Sequence, residues 1–247
     1  EQLRGVIGRL IAPELRERFP LLRRPQQVRR AAVLLLTSNR GLAGAFNANL
    51  IREASRLVAR LEGEGVHVDL HVVGKKGVSF FRFRGHTLAS AHTELSDRPG
   101  MDDAAALVEP LRDAFQRGEL DQVDIVYAQF RSALSTPPGV LRVLPIEAPQ
   151  DVGPRADGGR REANYILSPS ADDILNRLLP LYVRNSVYRA LVETAAAEQG
   201  ARRTAMKSAT DNAGDMLDTL TRNFNRARQA QITQEIAEIV GGAAALE

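Results

Sequence analysis

Gly41-Leu42-Ala43-Gly44 stands where phosphate-binding loops stand, between an apolar run that reads as a strand and an amphipathic segment that reads as a helix. A phosphate cradle also needs a third glycine or a lysine for the outer phosphates, or an acid at the end of the next strand to hold a ribose. This stretch has none of these, and it reads as a tight turn in a nucleotide-free sheet. Lys75 and Lys76 carry the charge to hold an anion near a helix start, and read as solvated loop lysines. His67 and His71 fall on one face of a strand, with no carboxylate motif to complete a metal set. Ser135-Thr136 precede two prolines, with no base beside them to activate a hydroxyl. Asp102-Asp103 and Asp172-Asp173 stand at helix starts, where free N–H groups and the helix dipole account for them. The chain has no cysteine, which excludes disulfides, thiolate metal sites and cysteine nucleophiles. No catalytic constellation is assembled, and neither a metal nor a cofactor is expected.

The elements that would position these residues can be read from hydrophobic periodicity. Leu3, Val6, Ile7, Leu10 and Ile11 have helical spacing. Pro13 either breaks that helix or opens a second one, and Pro20 and Pro25 bracket an Arg-rich connector. Ala31 to Leu36 is a continuous apolar run, the pattern of a strand buried on both faces. Asn47 to Leu61 is an amphipathic helix stopped by Gly63 and Gly65. His67 to Val73 is a second strand, and Gly74-Lys75-Lys76-Gly77 leads into a short segment with Phe80, Phe81 and Phe83. A third strand is expected over Thr87 to Leu95, a helix from Met101 or Asp102 to about Arg117, and a strand over Val123 to Arg131. After the Pro137-Pro138-Gly139 turn, Val140 to Ile146 alternates like its antiparallel partner. This order describes a small α/β domain. Residues 147–163 are Pro, Gly and charge, and read as a surface loop.

Beyond that loop the pattern changes. Ser170 is a candidate N-cap with Asp173 three residues on. From Leu181 to Val240 no proline or convincing stop interrupts sixty helix-compatible residues until Gly241-Gly242; Gly200 and Gly214 weaken the propensity by about 1 kcal/mol each. Such a helix would be about 90 Å long, against about 40 Å for a globule of the size of the α/β part. It must therefore either fold back at a glycine or extend past the globule, and extension is the expectation. Met206, Ala209, Ala213, Met216, Leu220, Ala227 and Ala230 follow the three-four spacing of a left-handed coiled coil, with Asn223 at the polar gap beside Phe224. A helical hairpin packed in a bundle is the alternative. Ile232, Ile236, Ile239 and Val240, then Ala243 to Leu246, make the end more apolar, as for a tip that runs in a sleeve built by another protein.

Composition supports a globular core: 247 residues, 44% apolar and 26% charged. Net charge is +3, while the pI of about 9.6 reflects cations that are nearly all arginine. From Leu181 onward eight basic residues meet eight acidic ones, a balanced rod rather than a polyanion binder. No stretch approaches the roughly 20 apolar residues of a membrane span, and no signal peptide is apparent. A soluble, intracellular protein is expected.

Ala201-Arg202, Ala205-Met206-Lys207, Ala209 to Ala213 and Asn225 to Ala230 lead to Ile232-Thr233-Gln234-Glu235, with Glu238 and Gly242-Ala243. This C-terminal run resembles the gamma subunit of F-type ATP synthase, and its ending matches that family's signature at each fixed position. Thr37 to Asn47 and Val73 to Gly77 resemble the family's two other blocks, so the likeness covers essentially the whole chain. It implies a Rossmann-like sheet domain plus a long C-terminal α-helix forming half of an antiparallel coiled coil. The corresponding division is 1–27 for the end of an N-terminal helix and its connector, 28–166 for the sheet domain and 167–247 for the long helix. The implied function is a central rotor shaft that couples proton-driven rotation to ATP synthesis or hydrolysis in the αβ hexamer, without catalytic residues of its own. Implied partners are the α and β subunits, the epsilon subunit and the membrane ring of c subunits, with no nucleic acid and no membrane insertion. The place implied is the cytoplasmic face of a bacterial inner membrane, since the cysteine-bearing insertion of chloroplast members is absent. Arg202, Gln229, Thr233 and Glu235 map onto the family's contacts with the catalytic subunits, and Ile236, Ile239 and Val240 onto its bearing tip. Family members begin with a further basic, Lys-rich helix. Glu1-Gln2-Leu3-Arg4 resembles its tail, so the sequence is expected to be incomplete at the front. The rival readings are a nucleotide-binding α/β enzyme with a helical extension and a basic coiled-coil protein that binds nucleic acid.

Overall fold

The computed structural model describes residues 18–146 and 171–244. The expected N-terminal helix over Leu3–Ile11, Pro13, the loop 147–163 and the Ser170 cap lie outside the described residues. The chain divides into two units, Glu1–Arg202 and Arg203–Glu247, and the division falls inside one helix.

The first unit is built on a five-stranded sheet: β1 (Arg30–Leu36), β2 (His67–Val73), β3 (Ser90–His92), β4 (Gln122–Ala128) and β5 (Pro138–Leu144). The order is β3-β2-β1-β4-β5, with the first four parallel and β5 antiparallel to β4. β1 is central and buried on both faces, which is why it reads as an unbroken apolar run. Ala32, Leu34 and Leu36 enter one core, Ala31, Val33 and Leu35 the other. The first core is closed by α3 (Met101–Gln116), a 3-10 turn at Pro20–Leu22 and the start of α4 (Ala171–Ala244). The second is closed by α1 (Phe46–Gly63) and α2 (Lys75–Phe83). The result is a Rossmann-like three-layer arrangement. Asp103 accepts the Gly100 N–H at 2.7 Å, so one acid of the Asp102-Asp103 pair closes the start of α3.

Three boundaries differ from the periodicity. β3 is three residues rather than nine, because it pairs only with the end of β2, His71 to Val73. β4 stops at Ala128 rather than Arg131. The next residues turn over, with the Gln129 N–H donating to the Pro137 carbonyl and Arg131 to Ser135. The long helix is already formed at Ala171, ten residues before Leu181, and runs through Pro180. An interior proline costs about 3 kcal/mol. Leu175, Leu179 and Val183 carry the same buried stripe across it, and each buried aliphatic side chain contributes roughly 1.5–3 kcal/mol. The stripe outweighs the proline. Gly200 and Gly214 lie within the helix, whose backbone is continuous through both.

At the exposed sheet edge Ser90 stands between two imidazoles. His71 Nδ1 is 2.8 Å and His92 Nε2 3.0 Å from its hydroxyl. Burial lowers the pKa of both rings; at His71 the Asp69 carboxylate opposes that fall and His92 adds to it. The folded chain therefore favours neutral rings. Their contribution to stability is full above the unfolded value near 6.5 and is lost as pH falls through the lower folded values. Urea midpoints should drop between pH 8 and pH 5 more for the parent than for a His71→Gln/His92→Gln variant. Parallel profiles would show that the two rings carry no proton linkage.

The turns after β1 and β2 lock together. Thr37 Oγ1 donates to the Val73 carbonyl at 2.6 Å and accepts the Gly77 N–H at 3.0 Å. Gly74 has φ +94°, and a Cβ there would lie 2.2 Å from the Thr37 carbonyl oxygen. Gly65, at φ +80°, has open space instead. Gly74→Ala should cost about 2–4 kcal/mol in chemical denaturation, whereas Gly65→Ala should cost about 1–2 kcal/mol from the left-handed backbone alone. Equal losses would show that the close approach at Gly74 contributes nothing.

Candidate functional site

The carboxyl end of the parallel strands is where an α/β sheet of this kind binds ligands. Here the space is filled from within. Ser38 N–H and Oγ engage the Asn47 side chain, Asn39 donates to the Leu95 carbonyl, and Lys75 N–H donates to Asn39 Oδ1. The cavity between Thr37, Asn39, Gly74, Leu191 and Thr194 is about 50 Å³, room for a water or two, and beside it an open groove of about 570 Å³ runs between the Asp97–Pro99 loop and Val192, Ala195 and Gln199 of α4. The Gly41–Gly44 loop turns at Leu42, which has φ 62° and is 74% exposed. Lys75 and Lys76 are exposed on the first turn of α2, and Lys76 packs beside Gly41.

The other candidates sit in separate structural contacts. Asp69 lies between His67 and His71 on the same strand face, a carboxylate the motif reading passed over. Its oxygens accept the Arg30 guanidinium, and His67 Nε2 is 3.5 Å from it. Among the described residues no three His, Cys, Asp or Glu side chains converge as a metal set. Ser135 closes the β4–β5 turn, its N–H donating to Ser132.

Arg202 closes the first unit. Its Nε–H donates to the Gly41 carbonyl at 3.3 Å, one terminal amine donates to Gln199 at 3.0 Å, and the other donates to Glu198. Three of about five N–H groups are thus engaged, leaving donors for a further partner. Glu198, Thr194 and Gly200 around it were missed in the sequence. The available signals were the i,i+4 spacing of Glu198 and Arg202 and an isolated glycine inside a helix.

The second unit is the remainder of α4, and every described side chain from Met206 to Gly241 is exposed. Met216 is 66% and Leu220 59% exposed, the seam residues Met206, Ala209, Ala213 and Ala227 are exposed too, and Lys207 and Asp211 pair at 3.3 Å on the surface. At about 100° per residue, the Met206–Ala227 seam points one way, and the stripe of Ile232, Ile236, Ile239 and Val240 is turned from it by about 150°. Gln229 lies within that second stripe, and Thr233 and Glu235 flank it on either side. Thr233 Oγ1 donates back to the Gln229 carbonyl at 2.8 Å, and Glu235 accepts from Gln231 at 3.1 Å. The two apolar faces are separate. Among the described residues no helix is long and apolar enough to cross a membrane.

A family model described as ATP synthase matches residues 1–246. The ATP synthase gamma chain of Gemmatimonas aurantiaca is 56% identical over 242 residues, covering 98% of this chain and 82% of that one. The gamma chain of Streptomyces avermitilis is 45% identical over 233 residues, covering 93% and 76%. The rotor of the Euglena gracilis mitochondrial ATP synthase shares the fold, with a TM-score of 0.61 at 19% identity over 94% of this chain and 88% of that one. A Rossmann-like sheet domain and a long helix with two exposed apolar faces are thus matched in sequence and in fold: the chain belongs to the ATP synthase gamma chain family.

Proposed function

We propose that the helix beyond Arg203 is the surface on which this rotor turns against the α and β subunits. Arg202, Gln229, Thr233 and Glu235 would make its polar contacts, and Ile236, Ile239 and Val240 its running tip. The seam Met206, Ala209, Ala213, Met216, Leu220 and Ala227 takes a second, antiparallel helix. The observation that carries this reading is the rotation between the two apolar faces. One helix partner cannot cover both, so a sleeve from other subunits takes the second. Polar groups beside the tip make hydrogen bonds worth about 1 kcal/mol each, or about 1.5–3 kcal/mol to a charged partner. Bonds of that size break and re-form as the helix presents a new face. Catalysis then resides in the partner subunits, with the chain supplying asymmetry rather than reacting groups. The sheet domain meets the epsilon subunit and the ring of c subunits, on the cytoplasmic face of a bacterial inner membrane, with no span of its own.

Reconstitution with α and β subunits tests this. A stable complex with rotation-dependent ATP hydrolysis is expected. Glu235→Gln and Thr233→Val should each slow hydrolysis about threefold to tenfold, consistent with losing about 0.7–1.4 kcal/mol of contact energy. Glu193→Gln, which breaks the exposed ion pair with Arg189 in the first unit, should leave the rate within twofold. Failure to form the complex, or equal losses from all three variants, would reject the assignment of these contacts.

A further inference from the structure

Helix α4 crosses the carboxyl edge of the sheet within two turns. Leu191 belongs to the core on the α3 side, and Ala197 to the core on the α1 side. Between them Thr194 is buried, and its hydroxyl accepts the N–H of Ala128, the last residue of β4, at 3.2 Å. Two loops then close on the next turns. On one flank Arg202 reaches the Gly41 carbonyl at 3.3 Å. On the other, a Cβ on Gly200 would lie 3.3 Å from Ala133 Cα and 3.4 Å from its carbonyl oxygen. Glu198 is 8% exposed and accepts the Arg202 guanidinium. This ion pair aims Arg202 at the loop.

Apolar packing is non-directional. It holds a helix against a sheet, yet lets one ridge slide to the next when the helix is twisted about its own axis. Directional hydrogen bonds and a backbone-to-backbone wedge oppose that twist. We propose that Thr194, Glu198, Gly200 and Arg202, gripped by the loops after β1 and β4, form a collar that fixes the azimuth of α4 in the sheet domain and carries torque between the domain and the helix. Glu198 is its positioning residue, holding Arg202 on Gly41. The proposal rests on the chain being a rotor.

The test uses the assembled ATP synthase, with ATP hydrolysis and ATP-driven proton uptake into vesicles measured on the same preparation. Thr194→Val, which removes the hydroxyl that holds the Ala128 N–H, and Gly200→Leu should leave hydrolysis within twofold of the parent while protons moved per ATP fall at least threefold. A purely structural role would lower assembly, hydrolysis and pumping together, and that result overturns the collar. So does an unchanged proton-to-ATP ratio in a parent enzyme that pumps. A parent that hydrolyses without pumping would overturn the rotor reading and the collar with it. Because the chain has no cysteine of its own, an Ala133→Cys/Gly200→Cys pair supplies a check independent of how the Leu variant folds. Oxidising it should leave both rates as in the reduced enzyme, and a loss on oxidation would show that these two positions have to move apart, which overturns the collar.

Discussion

An α-helix satisfies its own backbone. Every interior N–H finds a carbonyl four residues back, so a helix can leave a protein core for water without orphaning a polar group, which no isolated strand can do. The whole chain depends on this property of α4. Between Leu175 and Ala201 its side chains complete both cores of the sheet domain, and from Met206 to Gly241 they are exposed. The backbone is continuous through both environments. The change is made by side chains alone, from an aliphatic stripe at i,i+4 spacing to a narrow stripe of alanine and methionine amid charge.

The same logic governs the turns after β1 and β2, at the end of the sheet where such folds usually hold a phosphate. Thr37, Ser38, Asn39 and Asn47 spend their hydrogen bonds on Val73, Arg40, Leu95 and each other. Thr194 of α4 takes the amide of Ala128. Polar groups that a nucleotide would recruit are already paired, and the hole among them is water-sized. The short polar motifs in this sequence are therefore joinery. They bind the turns after β1 and β2 to each other, and through Gly41 to the helix.

Features governed by local pattern were legible in the sequence. Ala31 to Leu36 read as a strand covered on both faces, Leu50 to Leu61 as a helix with one buried side, and the absence of proline after Pro180 favoured one very long helix over a helical hairpin. Features decided by tertiary balance were not. Pro180 looked like a boundary because its penalty is local, while Leu175 and Leu179, which offset it, act through a sheet distant in sequence. The shortness of β3 is set by how far β2 extends beside it. Among the candidate site residues, the surface of α4 was readable because exposure there follows helical arithmetic. The engagement of Arg202 was not, since its partner Gly41 lies 161 positions away.

On the proposed assignment of contacts, the two faces of the second unit also bear on how a rod can turn inside a ring. A helix whose apolar stripe ran straight from Met206 to Val240 would bury all of it against one antiparallel partner, leaving a uniformly polar outer surface and a tip with nothing to run on. Turning the stripe by about 150° near Ala230 separates the tasks. The small residues of the seam let a second helix approach closely, which stiffens the rod. Ile232, Ile236, Ile239 and Val240 then present branched apolar surface, which is non-directional and so equally tolerant of every angle. Gln229, Thr233 and Glu235 add directional groups at the border of that surface, where a hydrogen bond made at one angle is broken at the next. In the proposed assignment, smooth bearing and angular discrimination would thus occupy the same three turns of helix, one supplied by carbon and the other by oxygen and nitrogen.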